Sequence, residues 1–458
     1  MYYNILCNST STKMCHNETI IINKLFLEWA KMIKVTGRPI FEADERGVIS
    51  SYRVYTNPQG LECKQFKNLQ YESDYSNGEF YRISSDNGKT WGEWQEVERT
   101  NYSTMYGEDE MMEMDTKEVW NPVHRHFVST HFKRFCLEGH QKAYDREWRG
   151  EKTVYDHQYI KVRMPEDTEA VTNVLIKYED GVDFDPKNPR NPEYLNKNQG
   201  YLNAPIVLKN GDIMVPVGAT VETGCKRAGL DVDTVSQTTP HIHRCVIIAR
   251  GKYNAETKTY DFTFSNPVIL SDRQSTRGID EPVIAELESG RILLVMRASN
   301  EIYGGWGCRM EPNAPNFKWY AFSDDGGETF SEALIWHFDN REVIYSSATI
   351  SDFIRSSKTN KLYWVGNITD HTAHGNMPRY PLCIVEIDEN LGIPKKESYT
   401  VIDTRREGEP NRVQLSNFYM LEDRETNRIE LTLIKYSQFE NDKPFYGETW
   451  QYDIDIED

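Results

Sequence analysis

The 458-residue chain is predicted to be all-β, a six-bladed β-propeller of four-stranded antiparallel blades preceded by a short N-terminal extension. Three observations carry the prediction. Short apolar runs recur, broken by Gly, Asn, Asp and Pro, while long helical periodicity is scarce. Hairpin turns recur at Gly211, Gly290, Asn360 and Asn427, about 79, 70 and 67 residues apart. A unit of that length holds a four-stranded sheet with its loops, and radial repetition of such sheets makes a propeller.

In order along the chain, residues 1–36 are read as the extension, with a short helix over 20–34 ("IIINKLFLEWAKMIK"), and residues 37–458 as the propeller. The first hairpin fits the "NPQG" turn ending at Gly60. From there to Gly211 lie 151 residues, room for two units, so one hairpin is expected near residues 125–140 ("HFVSTHFKRF"), with an irregular insertion within about 100–200. "APIVLKNGDIMVPVG" (204–218) and "EPVIAELESGRILLVMR" (281–297) each give an apolar run, a turn and a second run, and the turns in "TNKLYWVG" and "TNRIELTLI" complete the six.

This topology sorts residues by end. Turns joining strands one to two and three to four lie at one end of each blade. The start of strand one and the two-to-three loop lie at the other, around the central pocket where ligands bind. "SSDNGKTW" (84–91) and "SDDGGETF" (323–330) share the pattern S-x-D-x-G-x-T-[W/F] and fall at three-to-four turns, away from the pocket. A structural role follows: Asp86 and Asp325 accept hydrogen bonds from turn amides, Gly88 and Gly327 permit positive φ, and Trp91 and Phe330 pack between sheets.

Two copies of this pattern at that place resemble the Asp-boxes of the sialidase superfamily, whose fold is a six-bladed propeller. The resemblance spans most of residues 40–440 and thins over 100–200. It implies a glycoside hydrolase acting on a terminal acidic sugar, sialic acid or a relative, whose carboxylate is gripped by a trio of arginines. Glu281 and Arg297 bracket the Gly290 hairpin at equal depth; a salt bridge closing the hairpin is one reading. By resemblance Glu281 is the catalytic glutamate and Arg297 one of the trio. Arg379, in "GNMPRYPL", resembles the final arginine. Arg53, in "SYRVYTNPQG", is compared with the first, though the proline of that motif is missing. Asp74, in the loop "QYESDYSNGEF" with Glu72, matches the approximate place of the acid/base aspartate.

The nucleophilic tyrosine of retaining sialidases has no counterpart: "RVQLSNFYM" puts Leu415 where it is expected, beside Gln414, which is taken as a substrate contact. Tyr419 or Tyr380 could substitute, and otherwise a carboxylate such as Glu281 activates water directly, with inversion. His371 and His374 lie in the loop leading to Arg379 and are candidate substrate contacts, while Glu222, Asp231 and Asp233 are spare acids on another pocket-side loop.

Other chemistry finds little support. The paired imidazoles His124/His126 and His241/His243 lack a nearby third ligand, and "DFDPKNPRNPEY" misses calcium-loop positions, so no metal and no cofactor is expected. No phosphate-cradling loop or nucleophile elbow is present. A net charge of −18 offers nothing to nucleic acid or to an acidic membrane face. Eight widely spaced cysteines read as reduced thiols, and the N-terminus lacks a signal-peptide pattern, leaving the cytoplasm as the default compartment. A glycan-binding propeller without catalysis, or a polysaccharide lyase on the same fold, is the competing class.

Overall fold

A computed structural model describes residues 33–97, 103–167, 169–201, 203–238, 242–302 and 307–457. Most of the expected helix over 20–34, His241, Cys7 and Cys15 lie outside these residues. The chain forms a six-bladed propeller of antiparallel sheets. Among the described residues four blades have four strands, the second has six and the fifth five. The inner strands of blades one, four, five and six are Val48–Tyr55, Asp280–Glu286, Ser351–Arg355 and Gln414–Glu422.

The ring is closed by its two ends. Ile33–Phe41 runs antiparallel to Thr449–Ile456, from Ile33 opposite Ile456 to Phe41 opposite Thr449, and forms the outer strand of the last blade. It crosses residue 36, where the extension was expected to end.

The apolar runs feed the seams between blades. Along Ile292–Arg297, Ile292, Leu294 and Met296 pack with third-blade residues such as Met214 and Ile248, while Leu293 and Val295 pack with Trp364 and Val385 of the fifth. The two-residue period sends alternate side chains to opposite faces, and both faces are buried, so the run is continuously apolar. Equivalent cores fill the seams of blades two and three and of blades five and six.

The seam of blades six and one is different, with a small apolar cluster of Val48, Ile434 and Tyr436. A polar clasp does most of the joining. Arg53 Nη2 pairs with Asp423 at 2.8 Å and with Glu430 at 3.0 Å, and Arg53 Nη1 donates to the Asn87 carbonyl at 2.9 Å. Arg424 stacks 3.9 Å from the Tyr55 ring and donates to the carbonyls of Asn57 and Gly60.

The two polar turns share one hydrogen-bond pattern. Asp86 accepts from Ser84 Oγ (2.8 Å), Thr90 N (2.8 Å) and Thr90 Oγ1 (2.6 Å), and Gly88 N donates to Ser84 Oγ. Asp325 accepts from Ser323 Oγ (2.8 Å), Thr329 N (2.9 Å) and Thr329 Oγ1 (2.6 Å), and Gly327 N donates to Ser323 Oγ. These donors lower the pKa of both carboxyls to about 2. Gly327 has φ +85, and a Cβ there would meet Met214 Cε at 2.6 Å. Phe330 is buried in the seam of blades three and four, and Trp91 stacks under Arg82.

The second blade departs most from expectation. "HFVSTHFKRF" is part of a single strand, His126–Cys136, paired on one side with Asp109–Asp115 and Val119–Asn121 and on the other with Val154–Arg163. The hairpin turn lies just before it, at residues 122–125. An inserted helix, His140–Glu147, links the two long strands. No helix among the described residues is long and apolar enough to cross a membrane, and the six described cysteines are free.

Candidate active site

At the end of the ring opposite the polar turns lies a cavity of about 510 Å³, lined from all sides of the propeller. Asp74, Glu281, Arg297, Arg379, His374 and Gln414, six of the sequence candidates, meet on its wall.

Glu281 reaches it through a local distortion. Asp280 pairs with Arg297 and Val283 with Val295, so three steps on the inner strand oppose two on its neighbour. The extra residue bends the strand and re-aims a side chain. Glu281 takes φ +40, a conformation non-glycine residues adopt at a cost. Its carboxylate is ion-paired with Arg297 Nη1, whose Nη2 donates to Asn376 Oδ1 at 3.3 Å. Burial alone would lower the pKa of Arg297, but Glu281 and Asp280 hold it above its usual value. The salt bridge expected of the Gly290 hairpin and the position in the pocket therefore coexist.

Arg379 stands beside this pair without a carboxylate of its own. Its guanidinium donates to the Asn376 carbonyl (3.2 Å), Ser416 Oγ (3.3 Å) and the Ala348 carbonyl (3.5 Å), and it is in none of the ion pairs among the described residues. Burial and then the neighbouring Arg297 cation push its pKa down to about 10. Buried Lys318, whose Nζ donates to the Thr349 carbonyl at 2.6 Å, has a pKa lowered to about 7 by burial and by Arg297.

Gln414 begins the inner strand of the last blade opposite Tyr436, with the same three-against-two break before Asn417. The Tyr436 hydroxyl donates to Gln70 Oε1 at 2.6 Å. Asp74, at φ +54, lies exposed on its loop, and Ser73 Oγ donates to its carboxylate at 3.2 Å.

Several candidates are elsewhere. Arg53 is part of the clasp between blades six and one, near the turn end of its strand. The hairpin loop spans residues 56–62, so Arg53, seven residues before Gly60, lies close to that loop rather than near the pocket. His371 lines a second cavity of about 760 Å³ that shares Met377 with the first, and Tyr380 lies there too. Tyr419 stacks on Tyr52 at 4.9 Å. Glu72, Glu222, Asp231 and Asp233 do not line the main cavity; Asp231 caps the short helix Val232–Val235. Imidazoles of the two histidine pairs serve packing: His126 Nε2 bonds the Tyr260 hydroxyl at 2.7 Å, and His243 bonds Ser236 Oγ and the Leu270 carbonyl.

Sequence reasoning missed much of the wall. Arg134 grips Asp156 through two bonds of 2.8 and 3.0 Å, and Arg244 Nη2 reaches the same carboxylate at 3.2 Å. Arg277 pairs with Asp280 at 3.2 Å. Tyr201 lies under the guanidiniums of Arg134 and Arg244, and its pKa is raised by burial and then by Glu281. Glu147, the last residue of the inserted helix, also faces the cavity. One signal was available. Gln70, Arg297 and Tyr436 each end the second strand of a blade and line the cavity, so the rule that locates Arg297 locates the other two.

No protein-family model matches the chain, and no curated protein matches it. Solved structures do. A Dyadobacter fermentans protein of unknown function is 12% identical with TM-score 0.56, over 93% of this chain and 100% of that one. The NanB sialidase from Streptococcus pneumoniae is 10% identical with TM-score 0.54, over 92% and 71%. The α-L-arabinofuranosidase of Fusarium graminearum, in complex with arabinobiose, is 9% identical with TM-score 0.44, over 91% and 97%. The chain thus has a sialidase-like six-bladed propeller fold.

Proposed function

We propose that this cavity hydrolyses the glycosidic bond of a terminal acidic sugar, a sialic acid or a uronic acid, from the non-reducing end. The observation that supports it is Arg379, a guanidinium withdrawn from bulk water whose hydrogen bonds go only to neutral oxygens. A half-buried charge held in no ion pair is costly, and a bound carboxylate supplies the missing charge through strong bidentate bonds. Arg297 flanks it, with half of its charge already answered by Glu281. This is a grip of two arginines, since Arg53 is committed to the clasp.

Glu281 is the base. Its distorted backbone holds the carboxylate in the cavity, and the Arg297 pair orients it. It acts on a water, giving inversion, or on the Tyr201 hydroxyl, giving retention with a phenolic nucleophile. Protonation of the leaving oxygen falls to another carboxyl group on the wall, of which Asp74 is the one the sequence selects.

The test is turnover of aryl glycosides of N-acetylneuraminic acid and of a hexuronic acid, with NMR detection of the anomer first released. Wild type is expected to hydrolyse at least one, and Glu281→Gln to lose about 10²-fold or more in kcat. Tight binding of both sugar acids without turnover would leave a glycan-binding propeller and end the hydrolase reading. An unsaturated, ultraviolet-absorbing product would make the protein a lyase.

A further inference from the structure

Six carboxyl groups line the cavity: Asp74, Glu147, Asp156, Asp280, Glu281 and Glu301. Three are held as acceptors by guanidinium groups, Asp156 by Arg134 and Arg244, Asp280 by Arg277 and Glu281 by Arg297. Carboxylates engaged in this way are committed to their cations rather than free to meet a leaving group. Asp74 is on an exposed loop, and Glu301 packs against Gly375 in the loop that carries Arg379.

Glu147 differs from all of these. It closes the helix His140–Glu147, so the negative end of the helix dipole disfavours its ionised form. The helix is pinned to the second blade: Ala143 is fully buried, Thr153 Oγ1 donates to its carbonyl at 2.7 Å, and His140 N donates to Glu110 Oε2 at 2.8 Å. Trp148 follows directly, with Arg277 5.1 Å above its ring. No ion pair among the described residues includes Glu147.

Resting on the hydrolase reading, we infer that Glu147, and not Asp74, is the general acid that protonates the leaving glycosidic oxygen. The proton passes from the Glu147 carboxyl to that oxygen as the bond to the anomeric carbon breaks, and a water later restores it. The charged and titratable groups facing Glu147 are Asp156, Arg134, Arg244 and Arg277, with Tyr155 and Cys136 behind. Burial and then Asp156 raise its pKa, against the three arginines, to about 7. The acid form is therefore well populated near neutrality, as general acid catalysis requires.

The experiment compares wild type, Glu147→Gln and Asp74→Asn on two glycosides of the same sugar acid, 2,4-dinitrophenyl and methyl. The dinitrophenolate leaves without help; methoxide does not. Glu147→Gln should lose about 10²-fold or more in kcat/KM on the methyl glycoside but under about 10-fold on the dinitrophenyl one, and should lose the basic limb of the wild-type pH profile near 7. Unchanged calorimetric affinity for the free sugar acid would show its pocket intact. Equal losses on both substrates, or a leaving-group-dependent loss in Asp74→Asn instead, overturn the assignment while wild type remains active. A wild type inactive on both substrates overturns the hydrolase reading and this assignment with it.

Discussion

Replacing Arg53 by Met separates a structural arginine from a substrate-binding one. The Arg53 side chain is 11% exposed and its partners Asp423 and Glu430 are 6% and 22% exposed. Removing one partner of such a pair costs about 3–5 kcal/mol, mostly because charge is left buried. Two features of this clasp put the cost at the lower end. Asp423 keeps Asn87 Nδ2, Thr426 N and Thr426 Oγ1 as donors at 2.8, 2.8 and 2.9 Å. Glu430, raised to about 7 mainly by burial, takes up a proton once its cation is gone. The expected loss is about 3 kcal/mol, a fall in Tm of roughly 3 °C for a chain of this size. The assay is thermal unfolding of Arg53→Met beside its KM for an acidic glycoside, which should stay within twofold. A Tm within 1 °C of wild type together with a tenfold higher KM would refute the reasoning and return Arg53 to the pocket.

Arg379→Met should weaken binding of the sugar acid by about 2–5 kcal/mol, roughly 30-fold or more in Kd by calorimetry, while a neutral sugar of the same ring size is unaffected. An equal loss for the neutral sugar would mean that Arg379 shapes the pocket rather than binds the anion. The clasp also sets a pH dependence. Glu430 titrates near 7 folded and near 4.5 unfolded, so between these values the folded state holds the extra proton and stability falls as pH rises, by up to roughly 3 kcal/mol. Glu147 acts in the same direction, so denaturant unfolding of Glu430→Gln at pH 5 and pH 7.5 should show a reduced slope rather than none; an unchanged slope would contradict the clasp electrostatics. Asp423, lowered to about 2 despite its burial because Arg53 and Thr426 bond its carboxylate, adds stability above about 4 that is lost as pH falls toward 2.

The propeller was legible because its seams demand apolar residues on both faces of the middle strands, and tight turns such as Asn210-Gly211 punctuate them. The second blade was not, since its long strand His126–Cys136 buries Thr130, His131 and Arg134 among apolar neighbours, and the partners that make this tolerable come from distant segments: Asn203 for Thr130, Asp156 for Arg134. Glu147 was hidden for the same reason, on a helix inserted where no repeat could be read. Glu281, Arg297 and Arg379 were legible because topology alone assigns the ends of strands to one side of the ring. Arg53, placed by its likeness to the first arginine of the trio rather than by this rule, lies instead beside the seven-residue loop 56–62.

The two ends of the ring divide stability from chemistry. At the turn end, Asp86, Asp325 and Asp423 have their hydrogen bonds met by nearby donors, and the charges there stabilise one arrangement. At the cavity end, the inner strands of blades four and six each carry one extra residue, Glu281 and Asp74 are held in the left-handed region, and Arg379 is in no ion pair among the described residues. The left-handed backbone at Glu281 and Asp74 costs on the order of 1–3 kcal/mol each. These features are tolerated because the apolar seams lie deeper in the blades and do not depend on how the strands begin. The distortion at Glu281 has a direct consequence: with Asp280 in regular register opposite Arg297, an undistorted strand would turn the next side chain to the opposite face. The extra residue brings Asp280 to Arg277 and Glu281 to Arg297, so two successive carboxylates reach one cavity and each meets its own cation.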